Sequence, residues 1–297
     1  MNHHVEAFSA DTMLVGESPL WHPAEQTLYW VDIEGFAIHS LKPATEEHRK
    51  WPMASEPSAL AISAAAGGGL AVSTRAGFMH LNTEDGTLTA IAPAPYDTAT
   101  TRFNDGKVDP AGRFWVGTIY EPRDKQAAEM FVLERGAVRT AWSGGMTNSN
   151  GLAFSPDGSA MYHADTAAHR VTRYDYDLAS GTPSNPQVLH QFSADKANNY
   201  GGRPDGAAVD SEGNYWVAMF EGGRIAKLSP SGQLLGEIPL PLRCPTMVAF
   251  GGADLKTLYI TSASKRPAEE LAQYPLSGRV LQVRMEVAGL PAPAYRA

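Results

Sequence analysis

The stretch RFNDGKVDPAGRFWVGT, residues 102–118, sets Arg102, Asn104, Asp105 and Lys107 just ahead of a turn and an aromatic strand. The arrangement recurs: four residues before Trp21, Ile62, Val108, Phe154, Val209 and Phe250 stand Glu17, Ser58, Asn104, Asn150, Asp205 and Thr246. All six side chains carry oxygen. A polar residue before a strand is ordinarily a turn former or part of a solvated rim, but a register shared by six segments weakens that explanation. Two carboxylates, two amides and two hydroxyls brought to one point would suit a hard divalent cation such as Ca²⁺, Mg²⁺ or Mn²⁺, with Zn²⁺ and Fe²⁺ left open.

Such a meeting requires elements that deliver each residue from a distant part of the chain. The six reference residues open similar units: WHPAEQTLYWVDI, ISAAAGGGLAVST, VDPAGRFWVGTI, FSPDGSAMYHADT, VDSEGNYWVAMF and FGGADLKTLYITSA, starting 41, 46, 46, 55 and 41 residues apart. Each runs from an apolar residue through a turn into a strand rich in aromatic and β-branched residues. The fifth unit reads AAVD, NYWVAMF, RIAKLSP and LLGEIPL, separated by SEG, EGG and SGQ. A period in the forties with four strands per unit is that of a propeller blade, and no long segment shows helical apolar spacing. The expected fold is an all-β six-bladed β-propeller, four antiparallel strands per blade around a central channel, forming one domain over residues 1–297. If the six polar residues mark the entries of the innermost strands, they converge on the axis at one face. The AAAGGG run at 64–69 occupies the turn position of SEG and PAG, and no GK[ST] follows, so it is read as a turn and not a phosphate loop. The polar segments TPSNPQ and SADKANNYGG are expected to rim a binding mouth.

Composition narrows the partners. The 297 residues carry 32 acidic against 24 basic side chains, a net charge of −8, which disfavours nucleic acid and anionic membranes. No apolar run approaches the ~18 residues of a membrane span. The lone Cys244 cannot pair internally and the first residues lack a secretory apolar region, so a cytoplasmic location is the expectation. Neither G-x-S-x-G nor H-E-x-x-H is present, which disfavours a serine hydrolase and a zincin. His3, His4, His22, His163, His169 and Cys244 are given no part in the site.

The motifs GESPLWHP, RFNDGKVDPAGRFWVGT, NSNGLAFSPDG, RPDGAAVDSEGNYWVA, EGGRIAKLSPSG and FGGADLKTLYITSA, in this order from about Gly16 onward, resemble the SMP-30/gluconolactonase/regucalcin family. The resemblance implies one divalent cation near the channel mouth and hydrolysis of a sugar lactone. It implies Glu17, Asn150 and Asp205 as metal ligands, all three already members of the ring found by register. It further implies Arg102 and Asn104 as substrate-binding residues, with Glu121 as a third, although Pro122 stands at the matching place. Phe154 replaces a tryptophan common in the family.

Lactone hydrolysis builds negative charge on the carbonyl oxygen, which a cation can stabilise while also acidifying a water. The resemblance gives Asp205 the part of general base as well as ligand. A carboxylate beside a cation is a weak base, so Asp205 either takes the proton of the attacking water or only orients a hydroxide held by the cation. Arg102 offers a rigid fork of donors for sugar hydroxyls or the forming carboxylate. The expected function is metal-dependent hydrolysis of an aldonolactone. The alternatives are a non-catalytic cation- or ligand-binding propeller and a metal-dependent esterase or organophosphate hydrolase.

Overall fold

The computed structural model describes residues 4–198 and 200–297; His3 lies outside them. Six antiparallel sheets follow one another along the chain. Their innermost strands are Gly16–His22, Pro57–Ser63, Thr101–Val108, Ser149–Phe154, Arg203–Val209 and Pro245–Gly251. Each touches the next, and the sixth touches the first, so the ring closes. This is the six-bladed propeller expected from the repeat. One short helix, Ala268–Gln273, interrupts the last blade.

The repeated turn has a simple cause. In VDPAGRFW, Asp109 is fully buried and its Oδ1 accepts from the backbone N–H of Ala111 (2.9 Å) and Arg113 (3.0 Å). Its Oδ2 takes the Arg113 guanidinium at 2.6 Å and the Trp115 indole at 3.3 Å. Asp210 does the same in VDSEGNYW, accepting from the N–H of Glu212 and Asn214 and from the Trp216 indole at 2.9 Å. One carboxylate thus closes the turn and pins the aromatic residue that opens the next strand.

Two blades depart from a pattern of four consecutive strands. The last blade draws its outermost strand from the other end of the chain: Val5–Ala7 pairs with Leu281–Arg284, Val5 opposite Val283. The second blade gains a fifth strand, because Ala294–Tyr295 lies parallel to Pro57–Ser63 on its channel side. Residues 290–293 there help line an apolar pocket whose other walls include Trp21, Val108, Phe154, Val209 and Phe250. Five of the six reference residues of the repeat therefore mark the end of the channel opposite the polar ring.

Candidate metal centre and substrate mouth

Every innermost strand contains one extra residue relative to its partner at the same place, between Glu17 and Leu20, Pro57 and Ala59, Phe103 and Gly106, Asn150 and Ala153, Pro204 and Ala207, and Pro245 and Val248. A bulge breaks the strict alternation of side chains and re-aims them. Here it turns the polar ring inward: Glu17, Ser58, Asn104, Asn150, Asp205 and Thr246 are all buried, none more than 8% exposed. Backbone conformation follows suit. Ser18, directly after Glu17, has φ 46°, and Gly151, directly after Asn150, has φ 59°.

The six do not act alike. The Ser58 hydroxyl is engaged by Ser73 Oγ at 2.8 Å, and that of Thr246 donates to the Gly16 carbonyl and meets Thr261 Oγ1 at 2.9 Å. These two hydroxyls lock neighbouring strands. The other four residues form the centre. Arg102 Nη1 donates to Asn104 Oδ1 (2.8 Å), which fixes the amide so that Asn104 Nδ2 faces Asn150 Oδ1 (2.8 Å), the Ser149 carbonyl (2.9 Å) and Asn148 Oδ1 (3.1 Å). Asn150 Nδ2 donates to Thr166 Oγ1 at 2.7 Å. The Asn150 oxygen is therefore held toward the axis with a lone pair to spare.

Asp105 belongs to this group as well. It is 4% exposed, its Oδ2 accepts from the Leu152 N–H at 2.9 Å, and its Oδ1 has no hydrogen-bond partner among the described residues. Burial pushes its pKa up to about 6. Burial also holds Glu17 and Asp205 well above the usual carboxylate range, and Asp105 repels both of them. Arg102 opposes this shift at both residues. Two strand positions below, Lys107 is drawn down by burial and attracted by Asp105 and Glu17. Three carboxylates forced together out of water want a nearby positive charge, and an orphaned buried oxygen among them fits an oxygen-loving divalent cation.

Glu121 sits at the edge of the same mouth. Arg75 clamps it through Nη2 (2.9 Å) and Nη1 (3.0 Å), Arg102 Nε lies 3.7 Å from its Oε1, and Arg75 also holds Glu56 at 2.8 Å. Across the mouth, Arg203 pairs with Glu221 at 3.3 Å and its Nε has no partner among the described residues. Two of the other histidines have partners of their own: His22 meets Glu25, and His163 is buried against Ser149 Oγ at 2.9 Å. Asp105 and Lys107 fall outside a register that takes one residue per blade. Their only signal was position, next to Asn104 in one polar run.

The profile of the SMP-30/Gluconolactonase/LRE-like region matches residues 15–264. The chain belongs to that family. It is 43% identical over 296 residues to a 6-deoxy-6-sulfogluconolactonase of Pseudomonas putida, with 99% of each chain covered. It is 31% identical to regucalcin of Xenopus laevis over 98% of each chain. Among solved structures, a calcium-binding regucalcin from Agrobacterium tumefaciens superposes with a TM-score of 0.93 at 27% identity, covering 100% of this chain and 99% of that one.

Proposed function

We propose that the protein is a sugar lactonase that opens an aldonolactone to its acid, using a divalent cation held by Glu17, Asn150 and Asp205, with Asp105 beside them. What supports this reading is that these buried oxygen donors lie close enough to act on one another's charge, with Asn150 tied in through Asn104 and Arg102 alongside. When bound, the cation supplies Lewis acidity toward the lactone carbonyl. In this reading Asp205 accepts a proton from the water that attacks the acyl carbon and returns it to the ring oxygen as the acyl C–O bond breaks. Arg102, buried against Asn104, presents its remaining donors to the substrate's hydroxyls or new carboxylate. Glu121 keeps Arg75 and Arg102 side by side at the entrance.

The name of the Pseudomonas relative suggests a finer substrate, a hexonolactone with a sulfonate at its terminal carbon. Arg203 supports it, since a guanidinium still 27% exposed beside its Glu221 partner can offer Nη donors to a sulfonate. The test uses metal-stripped protein given Ca²⁺, Mg²⁺, Mn²⁺, Zn²⁺ or Fe²⁺ and assayed for acid release from gluconolactone and from its 6-deoxy-6-sulfo analogue. Metal-dependent release that Asp205→Asn nearly abolishes is the expected result. Undiminished turnover in that variant would remove Asp205 as the base. Arg203→Met should raise KM for the sulfonated lactone alone; an equal effect on both lactones overturns the finer reading. Cation binding without turnover would favour a binding propeller, and faster cleavage of aryl esters or phosphotriesters would favour another hydrolase.

A further inference from the structure

A second cluster of metal-binding groups lies far from the axis, on the outer strands of the first blade. His39 stands on Ala37–Lys42 and His48 on Glu47–Pro52, diagonal neighbours on one face of the sheet. Asp11 approaches them from the segment that crosses from the last blade to the first. That segment is tied to the last blade by Phe8 N–H to the Val280 carbonyl and Met13 N–H to the Gly278 carbonyl, both 2.8 Å. It is tied to the first by Leu14 and Val15 N–H to the Asp32 carboxylate, both 3.0 Å.

His48 Nε2 lies 3.2 Å from His39 Nδ1 and 3.1 Å from Asp11 Oδ2, and the three ligand atoms lie within 4.8 Å of one another. Hydrogen bonding alone serves this set poorly. One imidazole nitrogen has either a proton or a lone pair in the ring plane. A proton on His48 Nε2 has to be shared between Asp11 Oδ2 and a lone pair on His39 Nδ1, and a lone pair there faces a carboxylate. A cation between the three atoms satisfies all of them. Metal–nitrogen bonds of about 2.0–2.1 Å in a tetrahedron set neighbouring donors about 3.3 Å apart, close to the 3.2 and 3.1 Å that separate His48 Nε2 from its two neighbours. His39 is buried, and among the described residues no hydrogen bond at Nε2 fixes its tautomer, so the ring can offer Nδ1.

We propose that Asp11, His39 and His48 form a second site, for a nitrogen-preferring divalent cation of the Zn²⁺ class, which staples the crossing segment to the first blade. The site is structural: it lies outside the substrate mouth and joins the piece of chain that closes the propeller. Trp30 stacks on both rings, with centroids 5.5 Å from His39 and 6.1 Å from His48, so its fluorescence reports occupancy.

The experiment titrates metal-stripped full-length protein with Zn²⁺ by calorimetry and with Co²⁺ by tryptophan quenching, in parallel with His48→Ala and Asp11→Asn. His48 and Asp11 are partly exposed, so both variants should fold and hydrolyse lactone as the parent does. The parent is expected to bind one more equivalent of Zn²⁺ than His48→Ala. Zn²⁺ should raise its Tm by a few degrees, a rise lost in both variants. Equal Zn²⁺ stoichiometry in parent and His48→Ala, or an equal rise in Tm, overturns the proposal. The comparison is a difference between parent and variant, so it does not depend on what the axial centre binds.

Discussion

Asn104 spends its amide nitrogen on three acceptors and its oxygen on Arg102, so its contribution runs through Asn150. Asn104→Ala is expected to weaken cation retention by about 10–100-fold, the usual effect of losing a group that orients a ligand. The check is kcat/KM against cation concentration: excess metal should restore part of the activity. Glu121→Gln breaks the paired contact with Arg75 at a partly exposed position, so stability should change by no more than about 1 kcal/mol. KM should rise more than kcat falls, because Arg75 and Arg102 then lose the carboxylate that aligns them. At this scale the grouping of Glu17, Asn150 and Asp205 in buried positions was legible from register, and the nearness of Arg102 from its motif. Asp105 was not, because counting by strand register assumes alternation, and the bulge between Phe103 and Gly106 sets two consecutive residues against one partner.

The bulge is what turns a strand into a ligand carrier, and Gly151 shows how tightly it is made. A Cβ at Gly151 would meet Tyr215 Oη at 2.2 Å and Ala164 Cβ at 2.8 Å, while the Tyr215 hydroxyl already donates to the Gly151 carbonyl at 2.7 Å. With φ at +59° added, Gly151→Ala is expected to lower stability by about 3 kcal/mol or more, read from urea denaturation. The adjoining strand Ala160–Asp165 supplies a pH dependence. Burial lowers the His163 pKa from 6.5 to about 4, and Arg170 adds to it. Between those values the unfolded chain binds a proton that the native state refuses, so stability falls as pH falls, by at most about 1.4 kcal/mol per unit. Below about 4 this loss stops growing. His163→Gln should flatten that part of the profile, seen by comparing urea midpoints at pH 7 and pH 5 with the parent's. The strands and turns themselves were readable from the sequence, since each unit runs from an apolar residue through a turn into a strand rich in aromatic and β-branched residues. The bulges were not, because an extra residue is defined against a partner strand that the local sequence does not show.

For the molecule as a whole, the repeat revealed six blades but not how the ring is finished. Val5–Ala7 and Ala294–Tyr295 are too short to carry a strand pattern, and their partners lie in other blades. Tyr295 is 1% exposed and its hydroxyl accepts from the Gly136 N–H at 3.0 Å. Removing residues 290–297 should therefore cost about 3 kcal/mol or more through the lost aromatic burial. It should lower Tm yet leave kcat of the folded fraction near the parent's, because that segment covers the end of the channel opposite Glu17 and Asp205. The pairing of Val5 with Val283 has a consequence for how the protein is made. Ribosomes add about 5–20 residues per second, so the earliest strand to emerge waits tens of seconds for its neighbour. Until residues 281–283 are synthesised, the newborn chain keeps both halves of its final seam as bare edges. A message cut short just before that point should thus yield a product far more prone to aggregate than the few missing residues suggest.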